Sequence, residues 1–145
     1  MAHSHHALTG SGLLSDLAPP DDRLALARAM FAAPFGLLCH DGQADPRFIY
    51  ANMTAQRLWG MPWNELVGMP SRLSAEPDVQ GARAQMLQEA VKSGFFSGYS
   101  GVRIAANGAR FIISNATIWN VTDESAAFLG QAAVLPDWSP LPTYA

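Results

Sequence analysis

The chain has 145 residues, which is the length of one domain. Hydrophobic residues make up 49% of it and charged residues only 14%, so the composition provides a core and excludes intrinsic disorder. The net charge is −3 and there is no basic stripe, which argues against a nucleic-acid partner. The single cysteine excludes an internal disulfide framework and a cysteine-built zinc site. No apolar run is long enough to span a membrane and no secretory signal is present, so we expect a cytoplasmic protein without a membrane partner.

The first twenty residues are small and polar for most of their length and lead into a pair of prolines. This composition predicts an unpacked, flexible N-terminal tail over 1–20. His3, His5 and His6 suggest a metal site as the alternative interpretation.

A helix is predicted over 21–33, where apolar residues recur at helical spacing. Asp21 or Asp22 can cap its N-terminus, and Pro34 ends it because the residue before a proline leaves the helical region. The apolar stripe of this helix needs a partner surface.

A hairpin of two strands is predicted next, over 35–40 and 47–51. Asn52 then stops the second strand and caps a short helix, a role whose loss costs about 1 kcal/mol. Further short helices bounded by proline and glycine follow. The longest central helix is predicted over 79–93, with Asp78 as its cap.

The C-terminal part changes to strand periodicity and predicts three more strands, over 95–105, 109–121 and 127–135. The order of elements predicts the α+β class, with a five-stranded antiparallel sheet, helices on one face and an extra N-terminal helix as a lid for the other face. A single domain is expected over 21–138, followed by an irregular tail over 139–145.

Several short motifs resemble those of PAS domains, in which a strand, an asparagine, a short helix and a glycine follow each other. They are Phe48–Asn52, Leu58–Gly60 and Trp63–Gly68. The order of further stretches is similar to the MEKHLA branch of PAS-like domains, of the stand-alone bacterial type. These stretches are Ala33–His40, Ala44–Pro46, Ser71–Leu73 with Glu76–Pro77, Tyr99–Ile104 and Ala116–Asn120. The resemblance runs from about Phe31 to Trp138 and implies a PAS-like fold with a sensory or regulatory role, without supplying a ligand.

The segment from Gly68 to Pro77 resembles the stretch of flavin-binding light sensors that reads G-x-N-C-R-F-L-Q-G-P. Gly68, Arg72 and Pro77 match that stretch, whereas Ser71 stands in place of the reactive cysteine. Serine is a far weaker nucleophile than a thiolate, so photoadduct chemistry is excluded at this position. No cofactor is obligatory, and flavin or haem without such an adduct stays open.

Arg72 and His40 are candidates for polar contacts with a ligand. The guanidinium of Arg72 can hold an anion, or else form a salt bridge to Glu76 or Asp78. The imidazole of His40 can bind haem iron or a metal, or else be a hydrogen-bonded histidine at a strand end. Cys39 cannot share a site with His40, because adjacent strand residues point to opposite faces.

Aromatic residues are numerous for so small a domain, and they predict either a filled core or a cavity between the sheet and the helices. The predicted cavity lining is Trp59, Met86, Phe96, Tyr99, Ile113, Thr117 and Trp119. Four polar residues at inward strand positions are candidates for orienting a ligand, namely Tyr50, Asn115, Thr117 and Gln131.

No catalytic or phosphate-binding motif is present, so we predict a protein that is not an enzyme. The first functional hypothesis is a PAS-like sensory module that binds a small, largely apolar ligand in the cavity. The alternative is a protein-interaction module with a filled core, and a third hypothesis is a sensor with haem or flavin. The low charged fraction and the apolar second sheet face predict a homodimer joined through the helix over 21–31 and that face. A downstream signalling protein is the further expected partner, because the chain carries no output motif.

Overall fold

The computed structural model describes residues 1–9, 12–19 and 21–142. These residues form five α-helices around one antiparallel sheet, with 3-10 turns at Ser15–Leu17 and Ser71–Ser74. The helices are α1 (Ala2–Thr9), α2 (Arg23–Phe31), α3 (Met53–Trp59), α4 (Trp63–Leu66) and α5 (Pro77–Ser93). The strands are β1 (Gly36–Asp41), β2 (Phe48–Ala51), β3 (Phe95–Ile104), β4 (Arg110–Thr122), β5 (Phe128–Leu135) and β6 (Asp137–Pro140). None of the described helices is long and apolar enough to cross a bilayer.

The α+β class and the antiparallel sheet are confirmed, but the sheet has six strands rather than the five predicted. The strand order is β2-β1-β5-β4-β3, and β6 pairs with β4 beyond the end of β5. Asp137 lies opposite Ser114 in the same register that pairs Val134 with Thr117. The predicted irregular tail over 139–145 is therefore wrong as far as Pro140, while 143–145 lie outside the described residues. Proline is tolerated in β6 because this strand lies at an edge, where no ladder donor is needed.

One face of the sheet packs against α3, α4 and α5 and forms the main core. Trp59, Leu66 and Met86 of the helices contact strand residues such as Phe111 and Ile118 in this cluster. Asp22 caps α2, since its carboxylate accepts from Ala25 N at 2.9 Å, as the sequence predicts.

The start of α5 differs from the prediction. Glu76 occupies the N-cap position of α5, and Pro77 is its first residue, so Asp78 lies inside the helix rather than capping it. Proline suits the first turn because its missing N–H has no intrahelical partner there. The side chain of Asp78 lies outside the described part of the structure.

The N-terminal segment is packed on the second face of the sheet, so the expectation of a flexible tail over 1–20 is wrong for its described residues. In α1, Ala2, Ser4 and His5 are buried, and Leu14 is fully enclosed. The His5 ring meets the Trp119 ring edge-on, with 4.6 Å between the centroids. Residues 10, 11 and 20 of the predicted tail lie outside the described residues.

The packing of α1 on the sheet was not predicted from the sequence because the helix contains several polar residues. The Ser4 hydroxyl donates to Met1 O at 3.0 Å and the Thr9 hydroxyl to His5 O at 2.7 Å. Hydroxyl groups satisfied by the preceding turn of their own helix can be buried without another partner. The second sheet face is therefore covered by α1 and its neighbours, with Met30 of α2 at the rim, rather than by α2 alone.

A bulge at Asn115 reverses the alternation of side chains along β4, so that residues after the bulge face the opposite side of the sheet from the side that unbroken alternation predicts. Ile113 lies in the main core, and unbroken alternation would place Thr117 and Trp119 there as well. Asn115 instead adopts a left-handed conformation with φ 57°, which asparagine tolerates better than most residues. Beyond it, Ile118 faces the main core and Trp119 faces α1.

Candidate functional site

A small, partly open cavity of about 50 Å³ lies between the sheet and α5. Six of the residues predicted from the sequence line it, namely His40, Trp59, Met86, Tyr99, Ile113 and Gln131. Most of the remaining lining is apolar and comes from strand residues such as Leu38, Ala133 and Leu135. The cavity therefore has apolar walls and a small polar group at one side.

Three predicted lining residues lie outside this cavity. Thr117 and Trp119 are displaced by the bulge in β4: the Thr117 hydroxyl is 3.3 Å from that of Ser97, and Trp119 packs against α1. Phe96 stacks edge-on with Tyr99 at 6.3 Å between ring centroids and supports the cavity wall without lining it.

Two of the predicted polar contacts are also not at the cavity. Tyr50 packs on Trp63, with 5.7 Å between the ring centroids, and burial raises the pKa of its phenol. Asn115 is exposed and its amide donates to the Asp137 carboxylate at 3.0 Å. Neither side chain can orient a ligand in the cavity, because each points to a different part of the surface of the sheet.

An open groove of about 530 Å³ lies beside the cavity, between α5 and the loop that joins β1 to β2. Arg72 lines this groove, where its guanidinium pairs with Asp45 at 3.2 Å. The predicted partner Glu76 pairs with Arg110 instead. The groove and the cavity share four lining residues, His40, Arg83, Leu87 and Gln131, so a polar boundary separates the two spaces.

His40 and Gln131 form the centre of this boundary. His40 Nε2 lies 3.2 Å from Gln131 Oε1, and Gln131 Nε2 donates to Leu87 O of α5 at 3.0 Å. Burial, together with the nearby positive charge of Arg83, lowers the pKa of His40 to about 4. The imidazole is therefore neutral near pH 7 and donates to the glutamine, which fixes β1, β5 and α5 relative to each other.

Two buried arginines at the cavity were missed by the sequence analysis. Arg83 of α5 is 8% exposed and Arg103 of β3 is 5% exposed. Arg103 donates to Val102 O at 2.8 Å and to the Tyr99 hydroxyl at 3.1 Å. Burial and then the charge of Arg103 lower the pKa of Arg83 to about 10, so the Arg83 guanidinium stays charged near pH 7.

The spacing in α5 carried a signal for Arg83. Arg83, Met86 and Ala90 follow each other at three and four residues and share the buried face of the helix. Arg83 was not considered in the sequence analysis, and charged residues without a partner are rarely buried.

Ser71 and Cys39 limit the chemistry of the site. Ser71 lines the groove, and its buried hydroxyl has no hydrogen-bond partner among the described residues. Burial raises the pKa of Cys39 to about 11, so its thiol is protonated near pH 7 and is a weak nucleophile. Within the described residues, no group of three His, Cys, Asp or Glu side chains can hold a metal ion.

Neither flavin nor haem fits within the cavity alone. A dry cavity of about 150 Å³ holds a single benzene ring. The cavity here, at about 50 Å³, is about a third of that volume, whereas both cofactors contain several fused or linked rings. His40, the candidate iron ligand, has its Nε2 atom engaged by Gln131.

Comparison with known proteins identifies the family and the fold. The sequence model of the MEKHLA domain matches residues 1–140, a longer stretch than the resemblance from Phe31 to Trp138. The PAS domain of a protein from Colwellia psychrerythraea has a TM-score of 0.68 at 18% identity, with 77% of this chain and 92% of that chain covered. A light-oxygen-voltage domain studied with a flavin analogue has a TM-score of 0.64 at 16% identity, over 83% and 87% of the two chains. The photo-excited blue-light photoreceptor Vivid has a TM-score of 0.58 at 18% identity, over 71% and 78%. Among curated proteins, none matches this chain in sequence.

Proposed function

Because the chain belongs to the MEKHLA domain family and has the PAS fold, we propose that it is a sensory module that binds a small molecule between the sheet and α5. The observation that carries this proposal is the polar boundary between the cavity and the groove. Arg83 is buried there without a hydrogen bond or ion pair to any described residue. A largely buried guanidinium that faces open space and has no protein partner there favours a ligand that supplies one.

The lining favours a ligand with a compact apolar body. Leu38, Phe48, Ile118 and Leu135 are among the residues that line the cavity, and none of them offers a polar side-chain atom. The volume of the cavity accommodates only a small group, so the rest of a larger ligand extends into the groove. Flavin, which the neighbouring light-oxygen-voltage domains suggest, is not part of the proposal because its ring system exceeds this space.

Gln131 is the residue that transmits ligand binding in the cavity to the neighbouring strands and to α5. Its amide contacts His40 of β1 and Leu87 of α5, and lies 3.5 Å from the Asn120 Oδ1 atom of β4. A ligand that draws the amide away from Leu87 O loosens α5 from the sheet. A downstream signalling protein that recognises α5 then receives the signal.

A thermal-shift screen of small aliphatic and aromatic compounds tests the binding function. The wild type is compared with Ala133→Leu, whose larger side chain fills part of the cavity, and with the matched control Thr117→Leu, which lies outside it. We expect compounds that raise the Tm of the wild type and of Thr117→Leu but not of Ala133→Leu. A screen in which no compound raises the Tm, together with a more stable Ala133→Leu, would favour the interaction-module hypothesis.

A second candidate function, self-association, is favoured by the surface of α2. Leu24 is 61% exposed, and Met30 is the one buried residue of this helix. We propose that α2 joins two copies of the chain; the outer sheet face does not contribute, because α1 covers it. Light scattering is expected to give twice the mass of the chain for the wild type and the mass of one chain for Leu24→Glu. A single-chain mass for the wild type at micromolar concentration would refute the dimer.

A further inference from the structure

Two like charges are buried together at the cavity, on different elements of the fold. Arg83 comes from α5 and Arg103 from β3, and both side chains line the same 50 Å³ space. Each is more than nine-tenths buried. Burying a charged group without a partner is strongly unfavourable, and a second like charge nearby adds to that cost.

No described carboxylate compensates these charges. Within the described part of the chain, the ion pairs join Arg72 to Asp45 and Arg110 to Glu76. Asp41 lines the adjoining groove, but its oxygens accept from the Gln43 side chain and from the backbone N–H groups of Gln43 and Arg47. The buried arginines therefore lack the negative charge that buried arginines normally have.

We propose that the carboxylate of a small-molecule ligand binds between Arg83 and Arg103, with the body of the ligand along the apolar wall and toward the groove. This inference rests on the proposed ligand-binding function and specifies the chemical class of the ligand. One carboxylate satisfies both guanidinium groups and removes their mutual repulsion.

The geometry of the donors fits a carboxylate. The planar fork of a guanidinium matches two carboxylate oxygens, which gives short and charge-assisted hydrogen bonds. The Tyr99 oxygen accepts from Arg103, so the hydroxyl hydrogen of Tyr99 is left to donate to the same anion. The space of about 50 Å³ suits a small planar group better than the bulkier and more strongly hydrated phosphate.

The experiment compares anions with neutral molecules of the same shape. The purified chain is titrated with acetate, butyrate and benzoate at constant ionic strength, and in parallel with acetamide, butyramide and benzamide. Inorganic phosphate forms a third arm. At about 100 times its dissociation constant, a carboxylate that binds only the folded state is expected to raise Tm by about 5–10 °C. The amides and phosphate are expected to give no comparable rise.

Variants of the arginines test the site itself. Arg83→Met is expected to weaken carboxylate binding by about 10- to 100-fold, as for the loss of a charged hydrogen-bond donor. Arg83→Lys, which keeps the charge, is expected to retain part of the binding. Arg110→Met removes the same charge from a surface pair and serves as the matched control, with unchanged binding.

A measurement without any added ligand gives an independent test. Methionine fills much of the volume of arginine without a charge, so ligand-free Arg83→Met is expected to melt at or above the Tm of the wild type. A Tm clearly below that of the wild type in a variant with unchanged circular dichroism would assign Arg83 a structural role and overturn the proposal.

The remaining outcomes separate the two proposals. Equal stabilisation by amides and carboxylates, or stabilisation by phosphate alone, would overturn the carboxylate site and leave ligand binding intact. No stabilisation by any of the three sets would overturn the carboxylate site, and the wider compound screen then decides the binding function.

Discussion

Replacing Asn52 with alanine is expected to destabilise the domain far more than the loss of an ordinary helix cap. Asn52 is fully buried at the junction of β2 and α3. Its Oδ1 atom accepts from the backbone N–H groups of Ala55 and Leu37, each at 3.0 Å. Its Nδ2 atom donates to Met30 O at 3.0 Å and to Phe35 O at 2.8 Å. One side chain thus joins α3 to the end of α2, the following turn and β1.

The magnitude follows from these four bonds. The cap bond to Ala55 N contributes about 1 kcal/mol, which is all that the sequence alone predicts. The other three bonds pair Asn52 with one buried backbone N–H group and two buried carbonyl groups. Losing each bond leaves a buried polar group without its partner, which costs about 1 kcal/mol. The expected cost of Asn52→Ala is therefore about 4 kcal/mol, a large part of the roughly 5–15 kcal/mol that stabilises a typical domain.

Urea denaturation of Asn52→Ala beside Asp22→Ala measures this effect. Asp22 caps α2 through a single exposed bond to Ala25 N, so its loss is expected to cost about 1 kcal/mol. The Asn52 variant is expected to lose roughly 10 °C in Tm as well. Equal free energies of unfolding for the two variants would show that the bonds to Met30, Phe35 and Leu37 contribute nothing, and would refute the reasoning.

Three further predictions concern His40 and two glycines. Folding lowers the pKa of His40 from 6.5 to about 4, so the unfolded chain binds the proton more readily than the folded chain. The free energy of unfolding is therefore expected to fall by about 3 kcal/mol as the pH drops from about 6.5 to about 4. His40→Gln should flatten this pH dependence, and identical slopes for the variant and the wild type would contradict its origin in His40. Gly81 lies within α5 with no atom close to an added methyl group, so Gly81→Ala should raise the free energy of unfolding by about 1 kcal/mol in urea titrations. A methyl group at Gly130 would collide with the His40 carbonyl oxygen on the paired strand, so Gly130→Ala should lose the cooperative thermal transition that the wild type has.

The sequence predicted the elements that depend on local signals. Asp22 and Asn52 were identified as caps because their side chains act on backbone groups three residues away. Six of the predicted site residues reach the cavity: Trp59 and Met86 come from the buried faces of α3 and α5, and the other four come from strands.

The predictions from the sequence were wrong where a single residue changes the backbone geometry, or where a residue of a type that is usually exposed is buried. Asn115 adopts a left-handed conformation that composition does not reveal, so Thr117 and Trp119 were assigned to the wrong face. His5 is buried although it belongs to a polar helix, and Arg83 is buried although it is charged. The burial of His5 depends on tertiary neighbours that its polar helix does not indicate, whereas Arg83 is marked only by its spacing from Met86 and Ala90.

The sheet separates two buried indoles, which gives the protein two optical reporters. Trp59 lines the cavity, and its Nε1 atom donates to Ser74 O at 3.2 Å, whereas Trp119 lies on the opposite face beneath α1. Trp63 and Trp138 are exposed, and phenylalanine at these two positions would remove their emission. Emission from Trp59 then follows occupancy of the pocket, and emission from Trp119 follows detachment of the N-terminal helix. With either Trp59 or Trp119 left as the sole tryptophan, events on each face can be timed separately without any added dye.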